Sequence, residues 1–224
     1  MVNFRTYLPA AGNASRLNGL PKYYLPITDN EFLLQYHVNN VNKFLGFPID
    51  IGANKYFYNS VENIFPNTNV TEISSSSMVS TVQKMGLNEN QNTLVIMPDT
   101  FFSDYEVIKK ISMKINKNQY DVVAALWVIR DDQKGKLGQC EIKNDLITNV
   151  IDKDLNCEEK YFWGALAWKD SFNKFILSDD EHFGVSLNRA IQANLKVGFE
   201  VAKGDYFDCG TFEEYMSLVK YLNS

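Results

Sequence analysis

Histidine, cysteine and long apolar runs are all scarce in this sequence of 224 residues, and each scarcity excludes a class of function. The two histidines, His37 and His182, do not have the spacing of metal ligands, so we expect neither a zinc site nor a Ser-His-Asp apparatus. His37 falls within a helical pattern and is interpreted as an ordinary helix residue. The three cysteines form neither a C-x-x-C pair nor a disulfide framework. They indicate reduced thiols in a cytoplasmic protein.

The chain also lacks a membrane-spanning run and an excess of positive charge. No apolar stretch reaches the roughly 18–20 residues that a membrane span needs, and the first residues do not have the pattern of a signal peptide. The formal net charge is −5, which gives no general basic field for nucleic acid. We therefore expect neither a membrane nor a nucleic-acid partner, and any phosphate site must be local. The length predicts one domain, acting as a monomer or homodimer.

The apolar pattern that is present alternates strands and helices through the first half of the chain. Strands are predicted over 4–9, 49–55, 69–74, 92–99 and 121–129, and helices over 31–47, 59–65, 74–86 and 106–115. The second half predicts a hairpin over 138–153, strands over 161–168 and 196–204, and helices over 169–177, 185–195 and 211–222. This order predicts a Rossmann-like α/β/α fold of three layers, with a mostly parallel central sheet and a small β-rich lobe.

Ligands of such sheets bind beyond the carboxyl ends of the strands. That rule brings together Asp99, at the end of an apolar strand, and the loop PAAGNASRLNGLPKYYLP at 9–26. The small residues 10–12 let backbone N–H groups approach a phosphate closely, and Arg16 and Lys22 supply positive charge. Neither the dinucleotide fingerprint nor the P-loop pattern is met here.

The segments AAGNASR and PKYYLP resemble the signature of the sugar-phosphate nucleotidylyltransferases, A-A-G-x-[GA]-[ST]-R followed by P-K-x-[LF]-x-P. The matching residues are Gly12, Ala14, Ser15, Arg16, Pro21 and Lys22. Four later segments resemble motifs of the same family in the same order: VIMPDT at 95–100, DK at 152–153, WGAL at 163–166 and YFDCGT at 206–211. The resemblance covers nearly the whole chain. It implies the nucleotide-diphospho-sugar transferase type of fold, with a nucleotide-binding half at about 1–130 and an acceptor-binding half at about 131–224.

The resemblance implies transfer of a nucleoside monophosphate from a nucleoside triphosphate to a sugar 1-phosphate, with Mg²⁺ and with release of pyrophosphate. Arg16, Lys22 and Asp99 are the implied catalytic residues, and Asp99 and Asp208 are the implied metal ligands. Lys153, Trp163 and Gly164 are expected at the acceptor. The residues expected at the nucleotide are Leu8, Ala10, Ala11, Gly12, Asn13, Ala14, Ser15, Arg16, Ser76, Ser77 and Pro98.

Departures from the family pattern leave the base and the acceptor open. Pro98 stands where the family has glycine, and the segment ISSSSMVS at 73–80 holds the place of a base-recognition loop without any glycine. A small cytidylyltransferase acting on an alcohol phosphate such as phosphocholine is one alternative, and a non-catalytic nucleotide-binding subunit is another. A glycosyltransferase is disfavoured, because Asp99 is followed by Thr100 and Phe101 and so gives no D-x-D.

Overall fold

A computed structural model describes residues 4–12 and 19–224 of the chain. The strands are β1 (Phe4–Ala10), β2 (Pro26–Thr28), β3 (Glu31–Phe32), β4 (Ile49–Ala53), β5 (Asn69–Glu72), β6 (Asn92–Ile96), β7 (Thr100–Phe102), β8 (Val122–Val128), β9 (Gly138–Lys143), β10 (Leu146–Asp152), β11 (Tyr161–Trp168), β12 (Val197–Val201) and β13 (Tyr206–Asp208). The helices are α1 (Leu33–Phe44), α2 (Tyr58–Ile64), α3 (Met78–Lys84), α4 (Glu106–Asn116), α5 (Phe183–Gln192) and α6 (Phe212–Leu222). Within the described residues, short 3₁₀ turns span Lys22–Tyr24, Asp131–Gln133 and Asp170–Phe175.

The described residues build one nine-stranded sheet. The pairs β1/β4, β1/β6, β4/β5 and β8/β12 are parallel, while β11 runs antiparallel to its neighbours β6 and β8. The β9/β10 hairpin joins the sheet at the first residues of β11. Its turn residues Asn144 and Asp145 both have positive φ, at 50° and 60°, as a two-residue hairpin turn requires. The expected mostly parallel sheet with a small β-rich extension is confirmed.

Helices cover both faces of the sheet, as the alternating pattern predicts. One core cluster packs α1, α2 and α4 against side chains such as Leu8 and Ile51, and a second packs α3 and α5 against Tyr7 and Val95. Burial of these apolar side chains is the main stabilising contribution, at about 25 cal/mol per Å² removed from water. A third, smaller cluster joins α6 to β7 and β13 through Leu218, Phe101 and Phe207.

Two helices begin with side-chain caps, and one predicted helix is shorter than expected. Thr211 and Glu214 form the reciprocal capping box at the start of α6, and Ser77 caps α3 by accepting from the Ser80 N–H. The segment 169–177 forms a 3₁₀ turn over Asp170–Phe175 rather than a longer helix. The short pairs β2/β3 and β7/β13 have no counterpart among the predicted strands.

Candidate active site

A cleft of about 690 Å³ opens at the carboxyl edge of the parallel strands, within the size range of small-molecule sites. It is lined by residues that follow β1, β5, β6 and β10, and by the region around β13. Its ionisable lining residues in the described part of the chain are Lys22, Asp99, Lys136, Asp152, Lys153, His182, Asp208 and Glu214. The cleft therefore offers both cations and carboxylates to a ligand.

Gly12 lies two residues after β1 and lines the cleft. A Cβ placed on Gly12 would meet no atom of the described residues within 4 Å, so packing within that part of the chain does not require glycine there. Its carbonyl accepts a 2.8 Å hydrogen bond from the side-chain amide of Asn54, which is buried just beyond β4. The backbone at Gly12 is thus held in place while its outer side faces the cleft.

The other predicted nucleotide residues of this loop differ in placement. Asn13, Ala14, Ser15 and Arg16 lie outside the described residues. Leu8, Ala10 and Ala11 are buried, and it is Pro9 and Gly12 that line the cleft on this side. Pro98 is likewise buried, whereas its neighbours Met97 and Asp99 are lining residues. Any contact of these buried residues with a ligand would have to use their backbone.

Lys22 and Asp99 meet inside the cleft. Lys22 opens a 3₁₀ turn after Pro21, and its Nζ lies 3.5 Å from Asp99 Oδ2. The two side chains are 19% and 33% exposed, so both ions remain accessible to a ligand. The loop after the first strand and the end of the VIMP strand therefore converge, as the rule for parallel sheets predicts.

Asp99 and Asp208 are brought together by the β7/β13 ladder. Asp208 is the register partner of Thr100, and the Cys209 N–H donates a 3.1 Å hydrogen bond to the carbonyl of Asp99. Burial raises the pKa of the Cys209 thiol, and the charges of Asp99 and Asp208 raise it further, so both carboxylates lie near the same thiol. Both aspartates also line the cleft.

The two carboxylates suit a hard cation that keeps other ligands. No group of three His, Cys, Asp or Glu side chains within residues 4–12 and 19–224 is arranged to hold a metal ion alone. Mg²⁺ commonly takes one or two carboxylates and completes its shell with water and phosphate oxygens. The donor set of Asp99 and Asp208 fits that ion together with a phosphate-bearing substrate.

The serine segment is largely occupied by its own structure. Ser77 Oγ caps α3 and also donates a 2.9 Å hydrogen bond to the Asp180 carbonyl, while Ser75 Oγ lies 2.6 Å from Thr81 Oγ1. Ser76 is exposed and lines the cleft. Ser76 is thus the serine of this segment whose side chain is both exposed and at the cleft.

The predicted acceptor residues lie together on the β9–β11 side of the cleft. The Lys153 side chain is 64% exposed, with its Nζ 3.8 Å from Asp152 Oδ2. Trp163 is buried at the cleft wall. Gly164 admits no side chain, because a Cβ there would stand 2.5 Å from Tyr206 Cε2 and 2.8 Å from Trp127 Cζ3. Internal packing alone therefore explains the glycine at 164.

Several lining or supporting residues were missed by the sequence reasoning. Asn54 lies near the carboxyl end of the strand predicted over 49–55, and that position was a usable signal. Lys136 and His182 carry no such signal, since loops distant in sequence bring them to the cleft. Glu214 caps α6 and also pairs with Lys136 at 3.3 Å.

Comparison with solved structures gives close matches in fold. A protein assigned as a glucose-1-phosphate thymidylyltransferase from Bacillus anthracis, solved with sucrose, matches at TM-score 0.79 and 15% identity over 99% of this chain and 96% of its own. A UDP-glucose pyrophosphorylase in complex with UDP-glucose matches at 0.77 and 18% identity over 100% and 99%. A UTP-bound UGPase from Acinetobacter baumannii matches at 0.73 and 14% identity over 99% and 93%.

No protein-family model and no curated protein matches the sequence. No helix among residues 4–12 and 19–224 is long and apolar enough to cross a membrane. The structural likeness nevertheless covers nearly the full length of this chain and of the solved chains that it matches. This chain therefore has the fold of the sugar-phosphate nucleotidyltransferases.

Proposed function

We propose that the protein transfers a nucleoside monophosphate from a nucleoside triphosphate to a sugar 1-phosphate. The observation that carries the proposal is the meeting of Lys22, Asp99 and Asp208 in one cleft at the carboxyl edge of the sheet. The solved proteins of this fold include complexes with UTP and with UDP-glucose, which supports a nucleotide and a sugar phosphate as ligands here. The part up to about residue 130 would hold the nucleotide, and the part from about 131 the acceptor.

The reaction requires charge compensation rather than a general base. An oxygen of the acceptor phosphate, already an anion, bonds to the α-phosphorus, and the bond from that phosphorus to the bridging oxygen of pyrophosphate breaks. Lys22 lies where it can offset charge at the α-phosphate or the leaving group, and the accessible backbone at Gly12 suits the β- and γ-phosphates. Arg16 is proposed for the triphosphate by the family resemblance.

Asp99 and Asp208 would hold Mg²⁺, which when bound reduces the repulsion between the two phosphates and stabilises the charge that develops. At the other end of the cleft, Lys153 would meet the acceptor phosphate and Asp152 its remaining polar groups. Trp163 and Gly164 form the adjoining wall. The free, buried thiols of Cys140, Cys157 and Cys209 support the cytoplasm as the compartment.

A pyrophosphate-release assay tests this proposal. UTP and dTTP are tried first, then CTP, ATP and GTP, each with glucose 1-phosphate, other sugar 1-phosphates and phosphocholine. We expect release with a sugar 1-phosphate and a rate at least about a hundredfold lower in Asp99→Asn, since one such electrostatic contact contributes about 3 kcal/mol. Asp131→Asn, which removes an exposed ion pair with Lys134, is the matched control and should retain activity.

Each other outcome contradicts a stated part of the proposal. Pyrophosphate release with phosphocholine alone would show that the acceptor is an alcohol phosphate and not a sugar 1-phosphate. Nucleotide binding without release would identify a non-catalytic subunit. Full activity in Asp99→Asn, with unchanged thermal unfolding, would remove the metal assignment.

A further inference from the structure

His182 is the one histidine that lines the cleft in the described part of the chain. It occupies the N-cap position of α5, and its side chain is 22% exposed. Its Nε2 lies 3.4 Å from Oδ2 of Asp152, the last residue of β10. Two segments that are 30 positions apart in sequence therefore meet at the acceptor end of the cleft.

Helix capping does not explain this histidine. The His182 side chain makes no capping hydrogen bond to α5, and its Nδ1 is buried with no hydrogen-bond partner among the described residues. Buried polar atoms in native folds nearly always have a hydrogen-bond partner, so one without a partner requires an explanation. The nearby Gly184 leaves just enough room for the ring, because a Cβ there would stand 2.8 Å from His182 Nδ1.

The Asp152 carboxylate has two neighbours that can orient it without occupying its capacity to accept hydrogen bonds. Its carboxylate is 16% exposed, and its contacts with Lys153 Nζ at 3.8 Å and with His182 Nε2 at 3.4 Å are both longer than the roughly 2.7–2.9 Å of a charge-assisted hydrogen bond. The carboxylate therefore keeps acceptor capacity toward the cleft. A carboxylate can only accept hydrogen bonds, so the ligand group that it binds must be a donor such as a hydroxyl.

We propose that His182 is a positioning residue for the acceptor, acting by orienting the Asp152 carboxylate toward the acceptor's hydroxyl groups. The proposal rests on the proposed function and assigns a role in that site to a residue outside the family motifs. Gly184 belongs to the same arrangement, because the absence of a side chain there lets the His182 imidazole reach Asp152.

Three variants test the role of His182. In His182→Leu the KM for glucose 1-phosphate should rise roughly tenfold, while the KM for the nucleotide and the thermal unfolding midpoint stay unchanged, because a polar contact to the Asp152 carboxylate is lost and no cap is removed. His182→Gln retains a side-chain N–H donor and should restore most of the acceptor affinity. Gly184→Ala should raise the acceptor KM by displacing the ring, although alanine favours the helix.

The double variant His182→Leu/Gly184→Ala shows whether Gly184 acts through the ring. Its acceptor KM should equal that of His182→Leu alone, since two changes that act through one group are not additive. If His182→Leu does not fold, Gly184→Ala alone decides the question.

An unchanged acceptor KM in the folded variants, with wild-type turnover intact, would overturn the role of His182 and leave the proposed function standing. If the wild type shows no turnover, the proposed function fails. Calorimetric titration of glucose 1-phosphate into wild type and His182→Leu then decides the inference. Weaker binding to the variant supports it, and equal binding or none to either protein overturns it.

Discussion

The imidazole of His37 is fully buried between α1 and the strand that follows Asp99. Its Nε2 lies 2.8 Å from the Thr100 carbonyl, and its Nδ1 lies 3.1 Å from the Tyr105 hydroxyl. Since a carbonyl can only accept, Nε2 carries the proton of the neutral ring and Nδ1 accepts from Tyr105. Burial lowers the pKa of His37 from 6.5 to about 4, so the fold holds the neutral form.

This pKa shift predicts how stability depends on pH. The unfolded chain binds a proton at His37 below about pH 6.5, whereas the folded protein does not until about pH 4, so the stability contribution is present above 6.5 and is lost as the pH falls toward 4. Between pH 7.5 and pH 5 we expect His37 to lower the free energy of unfolding by about 2 kcal/mol. Urea denaturation at the two pH values measures it.

His37→Gln separates this effect from the other titrating groups. The variant should be less stable at both pH values, but the fall between them should be smaller by about the same 2 kcal/mol. An identical fall in the two proteins would show that His37 is not the group responsible.

At the scale of elements, β11 and β13 pack tightly against each other at Gly164. The Tyr206 ring packs against Trp127 at 5.0 Å between centroids and against Phe162 at 5.0 Å, and it leaves no room for a Cβ at 164. Tyr206 stands two residues before Asp208, on the short strand that brings Asp208 to the cleft. Packing of this aromatic cluster therefore supports the position of a proposed metal ligand.

Gly164→Ala should reduce the free energy of unfolding by about 1–3 kcal/mol, the usual cost of overpacking a core. Chemical denaturation measures the change. Gly12→Ala is the matched control, since a Cβ there meets no atom of residues 4–12 and 19–224 within 4 Å. It should leave stability unchanged while lowering nucleotide affinity. Equal stability of Gly164→Ala and the wild type would show that the strands can separate at no cost.

The long elements could be predicted from sequence because their apolar pattern is local. The full extent of β11 and the capping box of α6 follow from residues adjacent in the chain. The β7/β13 ladder could not be found in this way. Its strands have three residues each and are more than a hundred positions apart in sequence, so no periodicity marks either one.

The same distinction holds for the candidate site. Gly12, Lys22 and Asp99 follow the first strand or the central VIMP strand, and the rule for parallel sheets was sufficient to group them. His182 and Lys136 reach the cleft through loops whose paths depend on tertiary packing. Ser77 shows the converse case, since a residue expected at the nucleotide is engaged in capping α3 and in bonding the Asp180 carbonyl.

At the scale of the whole molecule, the cleft is assembled from segments of both predicted halves, so ligand binding should stabilise the entire fold. At a nucleotide concentration about a hundred times its dissociation constant, the gain is about 2.7 kcal/mol, or roughly 5–10 °C in the unfolding midpoint for a chain of this size. The substrate triphosphate with Mg²⁺ should produce this shift, and EDTA should remove most of it. Asp208→Asn should unfold like the wild type without ligand but lose the Mg²⁺-dependent part of the shift. A full shift that survives both EDTA and Asp208→Asn would show that Lys22 and the backbone at Gly12 suffice to hold the triphosphate, and that the two carboxylates do not join the two parts of the chain through a metal ion.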